Sequence, residues 1–532
     1  MLVLGLGDSG LAMARWCVRH GADVTVWDSR DDPPQAAALQ TGVPAARRLQ
    51  GALSAESLAG FKLILKSPGL SPTDARIAPL LQPARATGIA VLSELDLFVR
   101  ALADLKAESG YAPQLLAVTG TNGKTTTTAM VERLLAHAGK RVVAAGNIGP
   151  TLLDTLSRAI DGGDPLPEVW VLELSSFQLA GGLGDGIAAS GPAGGGFEPT
   201  AAALLNLSQD HLDWHGSNNA YAATKSRIFG SSGVMVLNRD DAAVLALASA
   251  ALVPTPTPAL AADKGKGRGS KTKAAPARSV VRFGLDSPRL PGDFGLVTEN
   301  GMAWLVRALP DEDAAVRRAA DGPAQIHLQR LMPADALRVR GRHNSANALA
   351  ALALASAAGC AIGPMLHALQ TYEGEPHRLQ PVAQIDGVDA YDDSKATNVG
   401  ATVAALQGLG SEREPAKLIV ILGGDGKGQD FAPLREPLRR HARAVATIGR
   451  DAGLIESVIG AAIDPTADGA SPLQRHADMD AAVAWCFDQA RPGDAVLLSP
   501  ACASLDMYRS YAHRGEVFAA AVLQLANDRG QA

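Results

Sequence analysis

The segment LLAVTGTNGKTTTT, residues 115–128, restricts the possible folds of this chain more than any other stretch. An apolar run leads into a turn that contains Gly120 and Gly123, and a lysine and four threonines follow. Glycines at such a turn let backbone N–H groups surround a phosphate, Lys124 adds a positive charge, and the Thr125 hydroxyl can bind Mg²⁺. The segment therefore predicts a strand, a phosphate-binding turn and a helix that together form a nucleoside-triphosphate site.

This turn departs from the strict phosphate-loop pattern, which has a glycine where this chain has Val118. A Gly-Lys-Thr turn can also arise by chance, but the apolar strand before it favours a phosphate loop. We therefore predict a shortened variant of the loop.

A second glycine turn, GLGDSG at 5–10, follows the short apolar strand at the start of the chain. With Asp28 at the end of the next strand, it matches the dinucleotide pattern G-x-G-x-x-G. Alone, that pattern indicates an NAD-dependent oxidoreductase, but the same helix N-terminus binds other phosphate-bearing ligands. A third strand at 62–69 and a helix from Ser93 complete a Rossmann-like domain over residues 1–107, whose expected ligand is a nucleotide diphosphate.

Strands and helices alternate around the phosphate loop, which predicts a parallel sheet in a central domain of residues 108–372. The strand VWVLE ends in Glu173, where an acid reaches Mg²⁺ across from the loop; a buried acid that caps the next turn is the alternative. A Gly/Ala-rich stretch at 181–196 and a basic stretch at 251–280 interrupt the pattern. We interpret both as loop insertions, and the basic one as a disordered insertion rather than a nucleic-acid-binding arm.

The densest polar cluster is QDHLDWHG at 209–216. Its aspartates and histidines suggest a metal hydrolase, but the cluster follows a predicted strand, so His211 and His215 would not share a helix face. We interpret one histidine as assisting Mg²⁺. Lys225 follows on a predicted helix, and GRHNSAN at 341–347 opens an alanine-rich helix whose amide side chains can cap the backbone and read an adenine edge.

Strands followed by polar turns recur in residues 373–532. They are YDDSKATN at 391–398, IVILGGDGKG at 419–428 and VLLSPACASLD at 496–506. Three strand ends at one edge of an open sheet form a ligand crevice, so we predict a third, Rossmann-like domain. The cations available at this crevice are Lys395, Lys427 and Arg378.

Composition excludes several classes of protein. The chain is 47% hydrophobic and 19% charged with a net charge of −5, which is typical of a globular protein that binds neither nucleic acid nor a membrane. The four cysteines form no C-x-x-C pair, as in a reducing cytoplasm. No apolar run is long enough for a membrane span, and no basic segment precedes the first strand, so we expect no signal peptide. Because that strand has almost no lead-in, we expect a few residues upstream of Met1.

These motifs, in order, resemble those of the Mur ligases. They are TGTNGKTT, LELSSFQL, DHLDWH with the later lysine, GRHNSAN, PHR, DDSKATN, LGGDGKG and LLSPACASLD. The resemblance extends from Gly5 to about Arg514 and leaves out the two insertions. It implies an α/β protein with an N-terminal Rossmann-like domain, a central P-loop ATPase-like parallel sheet and a C-terminal Rossmann-like domain.

The activity implied by the resemblance is that of an ATP-dependent amide-bond ligase of peptidoglycan synthesis, a cytoplasmic monomer. Its substrates would be UDP-N-acetylmuramoyl-L-alanine and D-glutamate, joined through an acyl phosphate. The first domain would then bind UDP rather than NAD, the central domain ATP with two Mg²⁺, and the third the amino acid.

Residue roles also follow from the resemblance. The implied catalytic residues are Lys124, Lys225, His211 and Lys395. The implied nucleotide-binding residues are Gly120, Thr121, Asn122, Gly123, Lys124, Thr125, Thr126, Asn347, Arg378 and Asp393. The implied Mg²⁺ ligands are Thr125, Glu173, His211 and Lys225. The implied substrate-binding residues are Asp8, Ser9, Ser29, Arg30, Gly69, Asn147, Ser175, Gln178, Thr397, Lys427, Ser504, Leu505 and Tyr511.

Two of these positions need comment. An ammonium at Lys225 would repel Mg²⁺, but the matching lysine of the family is carbamylated by CO₂ and becomes an anion, which we adopt as a hypothesis. Tyr511 stands where family members commonly have phenylalanine.

Other functions share parts of this pattern. Ligases that add L-alanine, a diamino acid or a dipeptide have the same ATP loop, as do folylpolyglutamate synthases. The DNPR motif of the diamino-acid ligases is absent, and DDSKATN with SPACASLD favours D-glutamate. An NAD-dependent oxidoreductase leaves the central loop and Glu173 unexplained, and a non-enzymatic phosphate-loop regulator leaves unexplained why so many polar groups converge.

Overall fold

The computed structural model describes residues 1–182, 196–252, 278–310, 326–460 and 472–531. Most of the basic stretch at 251–280, for which the sequence predicts disorder, lies outside these ranges, and so does the central part of the Gly/Ala stretch at 181–196. In the described ranges the strands form four sheets, three of them mainly parallel. The α/β fold class is confirmed, and the three predicted domain limits stay predictions.

The N-terminal sheet is parallel, with strand order β3-β2-β1-β4-β5. Its strands are β1 (Leu2–Leu4), β2 (Thr25–Trp27), β3 (Arg47–Leu49), β4 (Leu63–Lys66) and β5 (Ala90–Leu92). Its helices are α1 (Asp8–Arg19), α2 (Ala36–Gly42), α3 (Ala78–Ala86) and α4 (Glu94–Ser109). A Cβ at Gly10 would lie 1.9 Å from the carbonyl oxygen of Gly5, so the turn from β1 into α1 requires glycine there.

The central sheet is also parallel, with order β11-β10-β9-β6-β8-β7. Its strands are β6 (Gln114–Thr119), β7 (Val142–Gly146), β8 (Val169–Glu173), β9 (Ala201–Leu204), β10 (Val234–Asn238) and β11 (Val280–Phe283). The helices around it are α5 (Lys124–His137), α6 (Leu152–Asp161), α7 (Ser176–Gly182), α8 (Leu212–His215), α9 (Asn218–Ser226), α10 (Ala242–Leu252), α11 (Arg342–Ala357) and α12 (Ile362–Gln370). The strand that follows β6 in the chain, β7, lies toward one edge of the sheet, and the strand that follows β9, β10, lies toward the opposite edge. A ligand crevice therefore opens between the ends of β6 and β9.

The alternation of strands and helices predicted for the central domain was wrong for one part of it. The strands β12 (Phe294–Glu299), β13 (Met302–Pro310) and β14 (Ile326–Pro333) form an antiparallel sheet. Asn300 and Gly301, with φ of 51° and 81°, form the two-residue turn between the first two strands. This Asn-Gly pair is a hairpin signal that the sequence already contained.

The C-terminal sheet has order β15-β16-β20-β17-β18-β19, and only the β15-β16 pair is antiparallel. Its strands are β15 (Gln380–Ile385), β16 (Val388–Asp392), β17 (Leu418–Gly423), β18 (Ala442–Ile448), β19 (Leu473–Arg475) and β20 (Ala495–Leu498). Its helices are α13 (Val399–Arg413), α14 (Arg435–His441), α15 (Ala452–Ile459), α16 (Met479–Gln489) and α17 (Tyr511–Asp528). The three polar turns identified in the sequence follow the neighbouring strands β16, β20 and β17, so they meet at one edge as predicted.

The N-terminal sheet and one face of the central sheet share a hydrophobic core. Phe98 of α4 packs edge-on against Trp170 of β8, with ring centroids 5.0 Å apart. Nη1 and Nη2 of Arg19 each donate a hydrogen bond of 2.7 Å to the carboxylate of Asp161, which links α1 to α6. The C-terminal sheet has cores of its own. Within the described ranges, none of the helices is both long and apolar enough to cross a membrane.

Candidate active site

The phosphate loop has the conformation that its glycines predict. Gly120 and Gly123 have φ of 158° and 82°, and α5 begins at Lys124. A Cβ at Gly123 would lie 2.5 Å from Oδ1 of Asn347, so only glycine lets the loop approach α11 this closely. Thr125 lies half-buried in the first turn of α5. The predicted strand-turn-helix is therefore present, with α11 against it.

Two lysines converge on the loop. The Nζ of Lys124 donates hydrogen bonds to the carbonyl oxygens of Gly120 and Thr121, both at 3.0 Å. Lys225 extends from α9, is 1% exposed, and donates to the Gly120 oxygen at 2.8 Å and to Oγ1 of Thr119 at 3.2 Å. Residues that are far apart in the sequence thus meet at one backbone oxygen.

The surroundings of these two lysines lower their pKa values and so favour the neutral amines. Burial lowers the pKa of Lys124, and it lowers the pKa of Lys225 well below the usual value, with Lys124 adding to the effect. The carboxylates of Glu173 and Asp210 oppose both shifts, so they lie close to both ammonium groups. Lys225 is therefore the more easily deprotonated of the two.

Glu173 carries an unsatisfied carboxylate oxygen. The residue is 1% exposed, and its Oε1 accepts a hydrogen bond from Nδ2 of Asn147 at 2.8 Å. Its Oε2 is buried and has no hydrogen-bond partner within the described residues. A buried carboxylate oxygen without a partner is costly in free energy, and a divalent cation would satisfy it. The site therefore fits the Mg²⁺ that the sequence implies.

His211 follows β9, as predicted, and lies just outside a short helix that the sequence did not indicate. Residues 212–215 form the short helix α8, and His211 precedes it with a φ of 51°. Its Nε2 lies 3.6 Å from Oδ2 of Asp210, and its ring packs against Phe177 at 4.5 Å. His215 instead bonds through Nε2 to the Ser176 hydroxyl at 3.0 Å. Both imidazoles also face the ring of Phe177, with centroids 4.5 and 6.0 Å from it.

A cavity of about 420 Å³ separates the phosphate loop from the C-terminal sheet. Its lining includes seven predicted residues: Asn122, Gly123, Thr126, Asn347, Arg378, Asp393 and Lys395. Further lining residues, which end or follow β9, β10 and β11, were missed in the sequence: Asn206, Ser208, Asn238, Asp240, Asp241 and Leu285. Their position directly after parallel strands was the available signal. The cavity has the place and polarity of a nucleotide site.

A reciprocal pair of amides joins Asn122, which lines this cavity, to Asn398 of the C-terminal region. Nδ2 of Asn398 donates to Oδ1 of Asn122 at 3.1 Å, and Nδ2 of Asn122 donates to Oδ1 of Asn398 at 3.4 Å. The same Asn398 side chain accepts from the backbone of Ala401 at 2.9 Å and so caps α13. The phosphate loop is thereby connected to the DDSKATN turn of the C-terminal sheet.

A smaller cavity, of about 120 Å³, lies between His211 and the C-terminal turns. The central region contributes Gln209, Asp210, His211 and Leu212, and the C-terminal region contributes Thr397, Asn398, Lys427, Gly428 and Gln429. The structure therefore brings the predicted Thr397 and Lys427 to the residues around the predicted metal site.

The remaining residues predicted in the C-terminal region lie nearby. The Nζ of Lys395 lies over the ring of Tyr511, 3.7 Å from its centroid, and burial lowers the pKa of Lys395 to about 8. Ser504 is buried, whereas Leu505 is 70% exposed, and neither lines the two cavities above. The loop that carries Ser504 and Leu505 is paired with the LGGDGKG turn by two backbone hydrogen bonds between Ala503 and Asp425.

A third cavity, of about 490 Å³, lies at the strand ends of the N-terminal sheet. All five residues predicted there line it: Asp8, Ser9, Ser29, Arg30 and Gly69. Asp28 also lines it, but Oδ2 of this residue accepts from the Leu6 amide at 2.7 Å. Although burial raises the pKa of Asp28, its bonds to Arg30 and Leu6 lower it to about 2. The carboxylate is thus occupied by protein donors.

Arg76 also lines this cavity and was missed in the sequence. Its Nη1 donates to the Ser29 hydroxyl at 2.8 Å, and its Nε bonds to Asp74 at 2.9 Å. Arg30 bonds to Asp28 in the same Asp-x-Arg pattern. The repeated pattern was the available signal.

The residues predicted for the middle of the substrate lie after β7 and β8. Asn147 holds Glu173, as described above. The amide and hydroxyl of Ser175 both donate to Oε1 of Gln178, at 2.9 and 3.0 Å, so this pair forms the start of α7.

Arg514 organises the C-terminal turns and was not predicted. This fully buried guanidinium donates to the oxygens of Ser394 at 3.0 and 2.8 Å, and to the carbonyl of Cys502 at 3.1 Å. Burial lowers the pKa of Arg514 to about 10. Nearby, Nδ1 of His377 bonds to Asp392 at 2.6 Å. Sequence periodicity gives no sign of such buried charges.

Comparisons with known proteins agree with this geometry. Three family models match consecutive parts of the chain: the Mur ligase MurD-like N-terminal domain over 1–93, the Mur ligase middle domain over 118–279, and the Mur ligase glutamate ligase domain over 377–502. A curated relative from Albidiferax ferrireducens, UDP-N-acetylmuramoylalanine--D-glutamate ligase, is 54% identical, and the match covers 100% of this chain and 97% of the relative.

Two solved structures show a similar fold. The UDP-N-acetylmuramate-alanine ligase MurC from Thermotoga maritima has a TM-score of 0.53 at 18% identity, covering 99% of both chains. The MurF ligase from Thermotoga maritima, solved in complex with ADP, has a TM-score of 0.53 at 17% identity, covering 88% of this chain and 90% of that one.

Proposed function

The chain belongs to the Mur ligase family, and from this premise we propose that it joins D-glutamate to UDP-N-acetylmuramoyl-L-alanine in an ATP-dependent ligation. The small cavity between His211 and Lys427 carries this proposal, because its lining combines the predicted metal ligand His211 with Thr397 and Lys427, the predicted contacts of the amino acid. The activity named for the relative at 54% identity supports D-glutamate as the added amino acid.

ATP would occupy the 420 Å³ cavity, with its phosphates at the phosphate loop. A substrate carboxylate must then approach the γ-phosphate, and the two negative charges repel each other. Lys124, now bonded to loop carbonyls, is placed to turn its ammonium toward the phosphates. Its positive charge would then stabilise the negative charge that develops in phosphoryl transfer.

The proposed Mg²⁺ ligands are Thr125, Glu173, His211 and Lys225, which would hold two ions. When bound, Mg²⁺ would neutralise phosphate charge and align the triphosphate. The unsatisfied Oε2 of Glu173 supports this assignment.

We further propose that Lys225 is carbamylated. A neutral amine attacks the carbon of CO₂, a C–N bond forms, and one proton leaves to solvent, so the product is an anionic carbamate. Burial lowers the pKa of Lys225, which raises the fraction of neutral amine that can react. The carbamate would also relieve the repulsion between Lys225 and Lys124.

In the first step, the carboxylate of UDP-N-acetylmuramoyl-L-alanine attacks the γ-phosphorus of ATP and ADP leaves. The amine of D-glutamate then attacks the acyl carbon, and phosphate departs with the bonding electrons as the amine loses its proton. Thr397, Lys427, Ser504, Leu505 and Tyr511 are the proposed contacts for D-glutamate. Lys395 would stabilise the negative oxygens during transfer.

The N-terminal cavity would hold the UDP part of the sugar nucleotide. The Asp28 carboxylate is occupied by Leu6 and Arg30, so it is not free to take both ribose hydroxyls of a dinucleotide, which favours UDP over NAD. Asn147, Ser175 and Gln178 are the proposed contacts for the muramoyl-alanine part.

We propose domain limits of 1–107, 108–372 and 373–532, a cytoplasmic location and a monomeric state. The four cysteines are free thiols, which supports a reducing compartment.

The proposed function is tested by phosphate release from ATP in the presence of UDP-N-acetylmuramoyl-L-alanine and one added amino acid. We expect release with D-glutamate, and little with L-glutamate, L-alanine or meso-diaminopimelate. Release driven by L-alanine or meso-diaminopimelate but not by D-glutamate would reject the proposal. NADH binding, followed by fluorescence, tests the oxidoreductase alternative.

A further inference from the structure

Lys66 is a buried lysine for which the proposed reaction gives no role. It ends β4, is 2% exposed, and its Nζ donates to the carbonyl oxygens of Leu70 at 2.8 Å and Ser67 at 3.3 Å. Within the described residues, no carboxylate forms an ion pair with it. Burial lowers the pKa of Lys66 to about 8, so most of it still carries a charge at neutral pH. A buried ammonium without a carboxylate partner costs folding free energy, so we infer that Lys66 has a functional role.

The two carbonyls bound by Lys66 belong to the turn Ser67–Leu70. All four residues of that turn line the 490 Å³ cavity. The Ser67 hydroxyl also donates to the Gly5 oxygen at 3.0 Å, which links the turn to the glycine turn before α1. Lys66 therefore fixes the shape of one wall of the proposed UDP pocket.

On its other side, Lys66 contacts the central region. Its Nζ lies 5.9 Å from the centroid of the Trp214 ring, and a Cβ at Gly181 of α7 would lie 3.6 Å from it. Trp214 belongs to the segment that carries His211, and its indole Nε1 is buried without a hydrogen-bond partner in the described ranges. Lys66 thus touches the wall of the UDP pocket, the helix after Glu173 and the segment of His211.

We propose that Lys66 is a positioning residue for the sugar nucleotide, which holds the wall of the UDP pocket in register with the segment of His211. This inference rests on the proposed function and deepens it. The substrate has to reach from the N-terminal cavity to Glu173, so a shift of the pocket displaces its reacting carboxylate. Small displacements of a reacting group are costly in rate. ATP binds in the other cavity, which Lys66 does not line.

The test compares Lys66→Met, which keeps the length of the side chain without its donors, with Lys66→Arg, which keeps donors. Lys62→Met, at an exposed lysine just before β4, is the matched control. UDP binding is measured by calorimetry, and KM values are measured for the sugar nucleotide and for ATP. We expect Lys66→Met to weaken UDP binding and raise the KM for the sugar nucleotide by about tenfold, as expected for hydrogen bonds from a charged group.

The KM for ATP should stay within about twofold of wild type, Lys66→Arg should recover most of the loss, and Lys62→Met should match wild type. Unchanged UDP binding in a folded Lys66→Met protein would overturn the inference, and so would an equal rise in both KM values. Calorimetry with UDP needs no turnover. It therefore tests Lys66 even if the wild-type protein fails to ligate D-glutamate, whereas that failure alone would reject the proposed function.

Discussion

Lys124 and Lys225 donate hydrogen bonds to the same backbone oxygen, the carbonyl of Gly120, at 3.0 and 2.8 Å. Two ammonium groups on one acceptor repel each other, and the burial of Lys225 together with this repulsion lowers its pKa well below the usual value. This shift favours the neutral amine of Lys225, which is the form that the proposed reaction with CO₂ needs.

The first prediction concerns carbamylation. Lys225→Ala should lose at least about a hundredfold in turnover, because an anion next to the metal is removed. Formate or acetate should restore part of the activity by replacing the carbamate, and Lys225→Arg, whose guanidinium cannot be carbamylated, should stay inactive. The measurement is D-glutamate-dependent phosphate release across a titration of the added acid. Full activity of Lys225→Ala, or no response to either acid, would contradict the hypothesis.

The second prediction concerns Glu173. Glu173→Gln keeps the bond from Asn147 to Oε1 but removes the charge, so turnover should fall about a hundredfold and the Mg²⁺ requirement should rise. Glu168→Gln, at a partly exposed acid just before the same strand, is the control. Normal Mg²⁺ dependence of Glu173→Gln would exclude the proposed ligand.

Local chemistry made much of this site predictable from the sequence. The phosphate loop and the three C-terminal turns each combine a strand end with polar residues a few positions later, and a parallel sheet brings such ends to one edge. Arg514 could not be predicted, because its partners, Ser394 and Cys502, lie on separate turns. Arg76 and Asp240 were missed although the sequence held a signal for each: the repeated Asp-x-Arg pattern for Arg76, and a position just after a parallel strand for Asp240. The antiparallel sheet was missed although Asn300–Gly301 signals a hairpin.

The third prediction concerns the amide pair between Asn122 and Asn398. Asn398→Ser keeps a hydroxyl that can cap α13, but its side chain is too short to reach Asn122. We expect turnover to fall about fivefold at a nearly unchanged Tm, because the phosphate loop loses its connection to the C-terminal turn. Small-angle scattering should show a larger radius of gyration. Asn398→Ala, which loses the cap as well, should also lower Tm; equal Tm in both variants would show that the serine does not cap.

The fourth prediction concerns pH. Burial raises the pKa of Asp393 to about 7, although Ser499 donates to its carboxylate at 2.8 Å. The folded protein therefore holds a proton that the unfolded chain releases near pH 4, so Asp393 stabilises the fold at low pH and this contribution is lost as pH rises toward 7. Relative to wild type, Asp393→Asn should gain stability across this window, by at most about 1.4 kcal/mol per pH unit.

Urea unfolding of the nucleotide-free protein at several pH values measures this effect. Asp488→Asn, at an exposed aspartate of α16, is the control and should follow the wild-type curve. A constant difference between Asp393→Asn and wild type from pH 4 to 7 would show that Asp393 has an ordinary pKa.

The fifth prediction concerns Tyr511, whose ring lies 3.7 Å from the Nζ of Lys395. An aromatic face favours the charged form of a lysine, and this opposes the burial that lowers the pKa of Lys395 to about 8. Tyr511→Phe keeps the face, so its kinetics should match wild type within about twofold. Tyr511→Leu removes the face, so the pKa of Lys395 should fall further and the neutral amine should predominate at a lower pH.

Because neutral Lys395 cannot stabilise the negative oxygens during transfer, turnover should fall several-fold in Tyr511→Leu, and the fall should begin at a lower pH than in wild type. The ratio of the two kcat values, measured at saturating substrate from pH 6.5 to about 9, separates this effect from titration of the substrate amine, which is the same for both proteins. If Tyr511→Phe lost activity as Tyr511→Leu did, the hydroxyl and not the ring would be the functional group.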